Sequence, residues 1–234
     1  MWLPDSLGVI RWWSVSDEMP KITALRVQGG RSDRVSVSLD GKRALSLQNT
    51  LAGGLHKGQE LTDEEIRELR ERDAAECAYE RVLHYLSFRP RSAWEVRHYL
   101  QKRGVDSANS DSVLSRLQRA GLVDDLQFAR FWVDNRESFR PRGKWALRVE
   151  LQQKGIAREV IDSVVDDVDE EANAMKAARS RGNRLDGLDE GTFRRRLFGF
   201  LRRRGFSSEV SRSVTTRLWD EFDGGQETDS EQRA

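Results

Sequence analysis

Leu100-Gln101-Lys102-Arg103-Gly104-Val105 returns as Leu151-Gln152-Gln153-Lys154-Gly155-Ile156, and again as Leu201-Arg202-Arg203-Arg204-Gly205-Phe206. The glycines stand 51 and 50 residues apart. Recurrence at a fixed period marks one supersecondary unit used several times. Each phrase reads as the end of a helix. A leucine keeps the apolar face, bases follow where they complement the helix dipole, and glycine stops the helix where a left-handed residue is needed. Units this short bury little surface alone, so they are expected to stack.

Working outward, the pattern gives three helices per unit. In the first, Cys77, Ala78, Val82, Tyr85 and Leu86 keep helical spacing up to Phe88-Arg89-Pro90-Arg91. Pro90 disfavours helical geometry at Arg89 and breaks the chain there. Ser92 and Glu95 form the capping-box pattern of a second helix, carrying Val96, Tyr99 and Leu100 to Gly104. A third helix holds Val113, Leu114 and Leu117; the extra residues Asp106 to Ser110 read as a loop. The second unit has Phe128, Phe131 and Trp132, then the break Arg140-Pro141-Arg142-Gly143, then Ala146, Leu147 and Leu151. The third has Ala174, Met175, Ala177 and Ala178, then Leu197, Phe200 and Leu201, and in place of an Arg-Pro break the Gly/Asp-containing stretch Gly182 to Gly191.

Ahead of the repeats, Ile22, Ala24 and Arg26 alternate with Thr23, Leu25 and Val27. Val35, Val37 and Leu39 do the same, and Ala44 to Leu47 follows. Gly29-Gly30 and Asp40-Gly41 are turn signals. Thr62-Asp63-Glu64-Glu65 is a second capping box. The expected fold is mostly α. An arm over 1–20 precedes a small antiparallel sheet plus helix over 21–73. Three-helix repeats over 74–123, 124–170 and 171–222 form an elongated array, and an acidic disordered tail occupies 223–234.

Apolar residues are 37% of the 234 and charged residues 34%, with a net charge of +1. The neutrality hides blocks. Phe193 to Gly205 holds six arginines and no acid; Arg136 to Arg148 holds five bases and one acid; Asp162 to Glu171 holds six acids and no base. Such blocks put a basic face on a neutral molecule. The single Cys77 cannot form an internal disulfide and reads as a packed thiol of a reducing compartment. No apolar run approaches a membrane span, and 1–20 lacks the regions of a signal peptide. A cytoplasmic protein without membrane contact is expected.

No catalytic constellation is present. His56, His84 and His98 have no Cys or acid at metal-ligand spacing, and Gly53-Gly54 lacks the Lys-Ser/Thr of a phosphate loop. Asp124-Asp125 reads as the cap and first turn of the next helix. No catalytic residue, metal or cofactor is therefore expected.

The bases recur in two places per repeat. One is the break: Arg89 and Arg91; Arg140, Arg142 and Lys144; Arg194, Arg195 and Arg196. The other is the end of the second helix: Lys102 and Arg103; Lys154; Arg202, Arg203 and Arg204. Arg97 and Arg148 lie between at matching positions. Dipole complementation accounts for Lys102 or Lys154. It does not account for six arginines in thirteen residues, which repel one another unless an anion partners them. Phosphate backbone and an acidic protein surface both fit; a direct DNA-binding protein and a scaffold for an acidic protein are the alternatives that charge leaves open. Trp94 and Trp145 occupy equivalent positions; packing between helices and partial exposure beside the bases are both open to them.

In these residues the chain resembles the RecX family, bacterial regulators of the RecA recombinase. The resemblance rests on Arg89-Pro90-Arg91-Ser92 with Glu95-Val96, Leu100 to Gly104, Gly121-Leu122-Val123-Asp124-Asp125 with Phe128-Ala129, and Arg136 and Arg140 to Gly143 ahead of Leu151 to Ile156. It covers about 75 to 222, and 21–73 is similar to an N-terminal extension of the family. It implies a non-enzymatic protein that binds the RecA–single-stranded-DNA filament in its groove, acts as a monomer, touches duplex DNA weakly at most, and restrains filament extension, ATP hydrolysis, strand exchange and SOS coprotease function. By matching position, filament contact falls on Arg89, Arg91, Arg97, Lys102, Arg103, Arg140, Arg142, Lys144, Arg148 and Lys154. Charge alone adds Arg194, Arg195, Arg196, Arg202, Arg203 and Arg204.

Overall fold

Residues 19–28, 33–182, 185 and 187–231 are described by a computed structural model, with side chains through Glu221. The expectations for 1–18, for the Gly29-Gly30 turn and for 232–234 lie outside the described residues. The chain divides into two compact units after Cys77.

In the first unit, β1 (Ile22–Val27), β2 (Arg34–Leu39) and β3 (Lys42–Gln48) pair antiparallel in that order. Asp40 and Gly41 both take positive φ, 48° and 80°, as the two-residue hairpin turn requires. Val35, Val37 and Leu39 point into the core with Leu45 and Leu47. The alternation expected for β1 fails after Ile22. Ile22 pairs with Leu39 but Ala24 pairs with Ser38, so a bulge at Thr23 shifts the phase and Leu25, not Ala24, packs on the core. The Thr23 hydroxyl fills the bulge, donating to the Ser38 carbonyl and accepting from the Gly41 amide. After the short α1 (Asn49–Ala52) comes α2 (Asp63–Leu86), a single helix of 24 residues. The Thr62–Glu65 box opens it in both directions: the Glu65 amide donates to Thr62 Oγ1 and the Thr62 amide to Glu65 Oε2. Asp73 receives the Gln48 amide at 2.8 Å and Arg34 at 2.7 Å, and Arg34 also reaches the Cys77 sulfur.

The second unit contains the repeats. The end of α2, α3 (Ala93–Gln101) and α4 (Ser107–Arg119) form the first. The second is α5 (Asp125–Phe139), α6 (Lys144–Gln153) and α7 (Arg158–Val165). The third is α8 (Glu170–Gly182), α9 (Glu190–Arg203) and α10 (Ser208–Glu231). Each closes its own apolar core, around Val82, Val96, Leu100 and Leu117; around Phe128, Leu147, Leu151 and Val165; and around Phe193, Leu197, Leu201 and Phe206. The leucine that begins each phrase is fully buried in all three, a burial that stabilises by roughly 1.5–3 kcal/mol apiece.

Two expectations are corrected. Asp106 to Ser110 is not a loop. Asp106 caps α4 by accepting the Asn109 amide, and Ser110 lies in its buried face; Ser110 follows Leu100 by ten residues as Ile161 follows Leu151 and Ser211 follows Leu201, so nothing is inserted in the first repeat. The tail from Asp223 was expected to be disordered on composition, but α10 carries helical backbone to Glu231. Extending a helix already packed at Val214 and Leu218 needs no new nucleus.

The three phrase glycines take φ of 75°, 72° and 85°, but only two have a second duty. A Cβ on Gly104 would meet open space. On Gly155 it would lie 2.4 Å from the Trp94 Cβ, and on Gly205 2.4 Å from the Ala146 Cβ. The second and third phrases thus sit against the first turn of the preceding repeat's middle helix. Gly104→Ala is expected to cost about 1–2 kcal/mol, the strain of a left-handed alanine, in urea unfolding. Gly155→Ala and Gly205→Ala should each cost at least about 1 kcal/mol more; equal costs at all three would contradict the close approach.

Candidate nucleic-acid interface

The predicted bases converge on two joints between repeats. At the first, Ser92 caps α3 by accepting the Glu95 amide at 3.1 Å, while its hydroxyl donates to the Lys154 carbonyl at 2.7 Å. Glu95 does not close the capping box back onto Ser92. Its buried carboxylate receives both Arg89 η nitrogens at 2.9 Å and Lys154 Nζ at 2.8 Å. Burial pushes this carboxyl up, but the bonds from Arg89 and Lys154 outweigh it and hold it below the usual carboxylate range. Asp124 caps α5 as expected, accepting the Leu126 and Gln127 amides. Asp125 reaches back across the joint to accept the Ala93 amide at 2.8 Å. Burial raises its pKa, and that bond opposes the rise.

The second joint brings the matching segments together with a closer backbone approach, a main-chain amide replacing the Ser92 hydroxyl. The Gly143 amide donates to the Arg204 carbonyl at 3.0 Å, and Glu170, standing where Asp125 does, accepts the Lys144 and Ser207 amides. Arg204 donates to the Pro141 carbonyl at 3.2 Å and lies over the Phe200 ring. Burial and then the charges of Arg142 and Arg140 lower its pKa. The third repeat therefore docks on the second without an Arg-Pro break of its own.

The remaining predicted residues divide by what they touch. Arg97 pairs with Asp111, Arg148 with Asp162 and Asp166, Arg142 with Glu150 at 3.5 Å, and Arg194 with Glu190 and Asp220. Arg91 lies over Tyr85 and Arg103 over Tyr99. Lys144 Nζ donates to the Asp166 carbonyl, Arg202 to the Phe206 carbonyl and Arg195 to the Thr192 hydroxyl. Lys102, Arg140, Arg196 and Arg203 are exposed, and no ion pair or hydrogen bond partner is found for their side chains among the described residues. The premise that the third-repeat arginines lack acids thus fails for Arg194, whose partners come from one turn earlier and from α10.

Two grooves carry bases beside rings. One of about 610 Å3 at the second joint is lined by Lys144, Trp145, Arg148, Arg202 and Phe206. Another of about 350 Å3 on the third repeat is lined by Arg194, Arg195, Phe198 and Arg212. Trp94 and Trp145 do not pack away between helices; they are 45% and 68% exposed, with Trp94 stacked on His98. Sequence reasoning missed Arg212, which α10 brings to α9, and the acids Glu95, Asp125 and Glu170. Comparing the repeats column by column would have exposed Glu95, because its column holds Ala146 in the second copy. Among the described residues no three His, Cys, Asp or Glu side chains are grouped to hold a metal ion, and no helix is long and apolar enough to cross a membrane.

These features define a protein of tandem three-helix repeats joined through polar joints and bearing basic grooves. Three family descriptions match it in order: RecX, first three-helix domain, over 78–117; second three-helix domain, over 124–165; and third three-helix domain, over 169–215. A regulatory protein RecX of Lactobacillus johnsonii is 30% identical over 205 residues, covering 86% of this chain and 75% of that one. One from Listeria monocytogenes serotype 4a is 28% identical over 214 residues, 89% and 80% of the two chains. A crystal structure of a regulatory protein RecX superposes with a TM-score of 0.67 at 26% identity, over 85% of this chain and all of that one. The RecX crystal structure from Lactobacillus salivarius, at 19% identity, shares the fold with a TM-score of 0.56, over 62% of this chain and 97% of that one. The chain belongs to the RecX family.

The first joint makes a pH prediction. A Glu in an unfolded chain titrates near about 4.3, and Glu95 titrates lower when folded. Its contribution is complete above that value and is lost as the pH falls through the folded value. Asp125 has the opposite sign, since its raised pKa makes ionisation weaken the fold as the pH rises through the carboxylate range. Glu95→Gln should cost about 2 kcal/mol at pH 7 and make urea stability fall less steeply on the acid side. An acid limb identical to wild type would contradict the assignment.

Proposed function

We propose that this chain is a non-enzymatic regulator that binds the RecA–single-stranded-DNA filament and inhibits its extension, ATP hydrolysis, strand exchange and SOS coprotease activity, so modulating recombinational repair. Family membership across all three repeats carries the reading. The physical support is the division of labour among the bases. Arg89 and Lys154 are held by Glu95 inside the fold, whereas Lys102, Arg140, Arg196 and Arg203 are exposed without an internal anion. Exposed cations on successive repeats meet a polyanion at several points, and each contact releases counterions. The ATPase belongs to the recombinase; the chain acts as a single copy on a surface of protein and DNA.

The test is ATP hydrolysis by the cognate RecA on single-stranded DNA, titrated with this protein. Inhibition well below one copy per RecA is expected, as for a protein that stops growth of an existing filament. Inhibition only near saturation of free DNA would instead favour simple competition for the strand, and no effect from folded protein would overturn the reading. The triple variant Lys102→Glu, Arg196→Glu, Arg203→Glu should keep wild-type helicity by circular dichroism and lose at least about tenfold in inhibition, since each reversed contact is worth on the order of 1 kcal/mol.

A further inference from the structure

The two joints are built from the same columns of the repeat, and one column differs in a way that changes the chemistry. Arg140-Pro141-Arg142-Gly143 stands where Arg89-Pro90-Arg91-Ser92 does, and Arg204 stands where Lys154 does, each directly before the phrase glycine. In the first joint Arg89 and Lys154 converge on the carboxylate of Glu95. The matching residue in the second joint is Ala146, a methyl group against Gly205. The cations were kept and the anion between them was not.

No other described side chain replaces it. Arg140 is exposed, with no ion pair or hydrogen bond to a described residue. Arg204 is anchored to the Pro141 carbonyl, between Arg140 and Arg142 in the break, with no acid beside it. Glu150 is the acid within reach of Arg142: its Oε1 lies 3.5 Å from the Arg142 Nε, and its Oε2 is shared by Arg136 at 2.7 Å and Trp132 Nε1 at 2.8 Å. The Arg142 Nε is buried with no hydrogen bond beyond that ion pair, and the Arg91 Nε at the matching place in the first joint is likewise buried without a hydrogen bond. Burial first, and then the charges of Arg142 and Arg140, lower the Arg204 pKa. Guanidiniums converging with a single carboxylate, on Arg142, among them can still fork onto a phosphate.

We propose that the second joint is an oxyanion site in which Arg140, Arg142 and Arg204 take a phosphodiester group of single-stranded nucleic acid, in the place that the Glu95 carboxylate fills at the first joint. The neighbouring groove favours nucleic acid over an acidic peptide. Trp145 is mostly exposed there, flanked by Lys144, Arg202, an acid-paired Arg148 and Glu170, which is engaged with backbone amides, and a ring beside cations suits a base beside its phosphate. The inference rests on the nucleic-acid half of the proposed function, and its test contains no recombinase, so the two can fail separately.

The test is binding of a fluorescein-labelled oligothymidylate to the full chain over a range of KCl concentrations. Ala146→Glu installs the acid of the first joint, and Arg140→Gln removes a cation at an exposed position that does not bear on folding. Each is expected to weaken binding and to lower the slope of log K against log salt by about 0.7, the loss of one single-strand phosphate contact. Wild-type slopes in Arg140→Gln, or no oligonucleotide binding by wild type, would each overturn the proposal.

Discussion

The second unit depends on a contact with almost no side chain in it. Each phrase glycine after the first ends its own helix in a left-handed conformation and lies against the opening turn of the helix one repeat earlier. The carbonyl just before it accepts a hydrogen bond from that turn, from the Ser92 hydroxyl in one joint and the Gly143 amide in the other. An acid from the next repeat's first helix, Asp125 or Glu170, caps an amide of the same turn. Because each repeat closes its own apolar core, these joints are polar, and they set how one repeat follows another.

That construction places charge at the joints. The break before the middle helix and the end of the next one are the segments the joint brings together, and they are where the repeat carries arginine and lysine. In the first joint the cations are neutralised from within and serve the fold. In the second they are left in excess beside an exposed tryptophan. One sequence column, Glu95 against Ala146, separates a structural ion pair from a surface able to take an external anion. Desolvating several guanidiniums together is unfavourable without such a partner, which is the physical reason to expect one.

Much of this was legible in the sequence. The period gave the repeats, Pro90 and Pro141 gave the breaks, and Thr62, Ser92 and Asp124 gave the helix starts, because each is a local signal read within a few residues. What was not legible is long-range. The role of Glu95 depends on Lys154, 59 residues away, so the capping box predicted from Ser92 and Glu95 is only half made. The surroundings of Trp94 depend on how close Gly155 of the next repeat comes. The bulge at Thr23 and the helical first turn at Asp106 were hidden because alternation and repeat length are averages that one inserted residue, or one good cap, overrides. The bases were correctly found as a group, but charge counting along the chain could not tell Arg89, spent on an internal acid, from Arg140, its unpaired counterpart.

We infer that the second joint faces nucleic-acid phosphate when the chain acts. The most direct measurement is a cryo-electron-microscopy reconstruction of the chain on a RecA filament assembled over single-stranded DNA. A backbone phosphate within hydrogen-bonding distance of Arg140, Arg142 or Arg204 is the predicted result. A well-resolved complex in which that joint faces solvent, or contacts only protein, would contradict it.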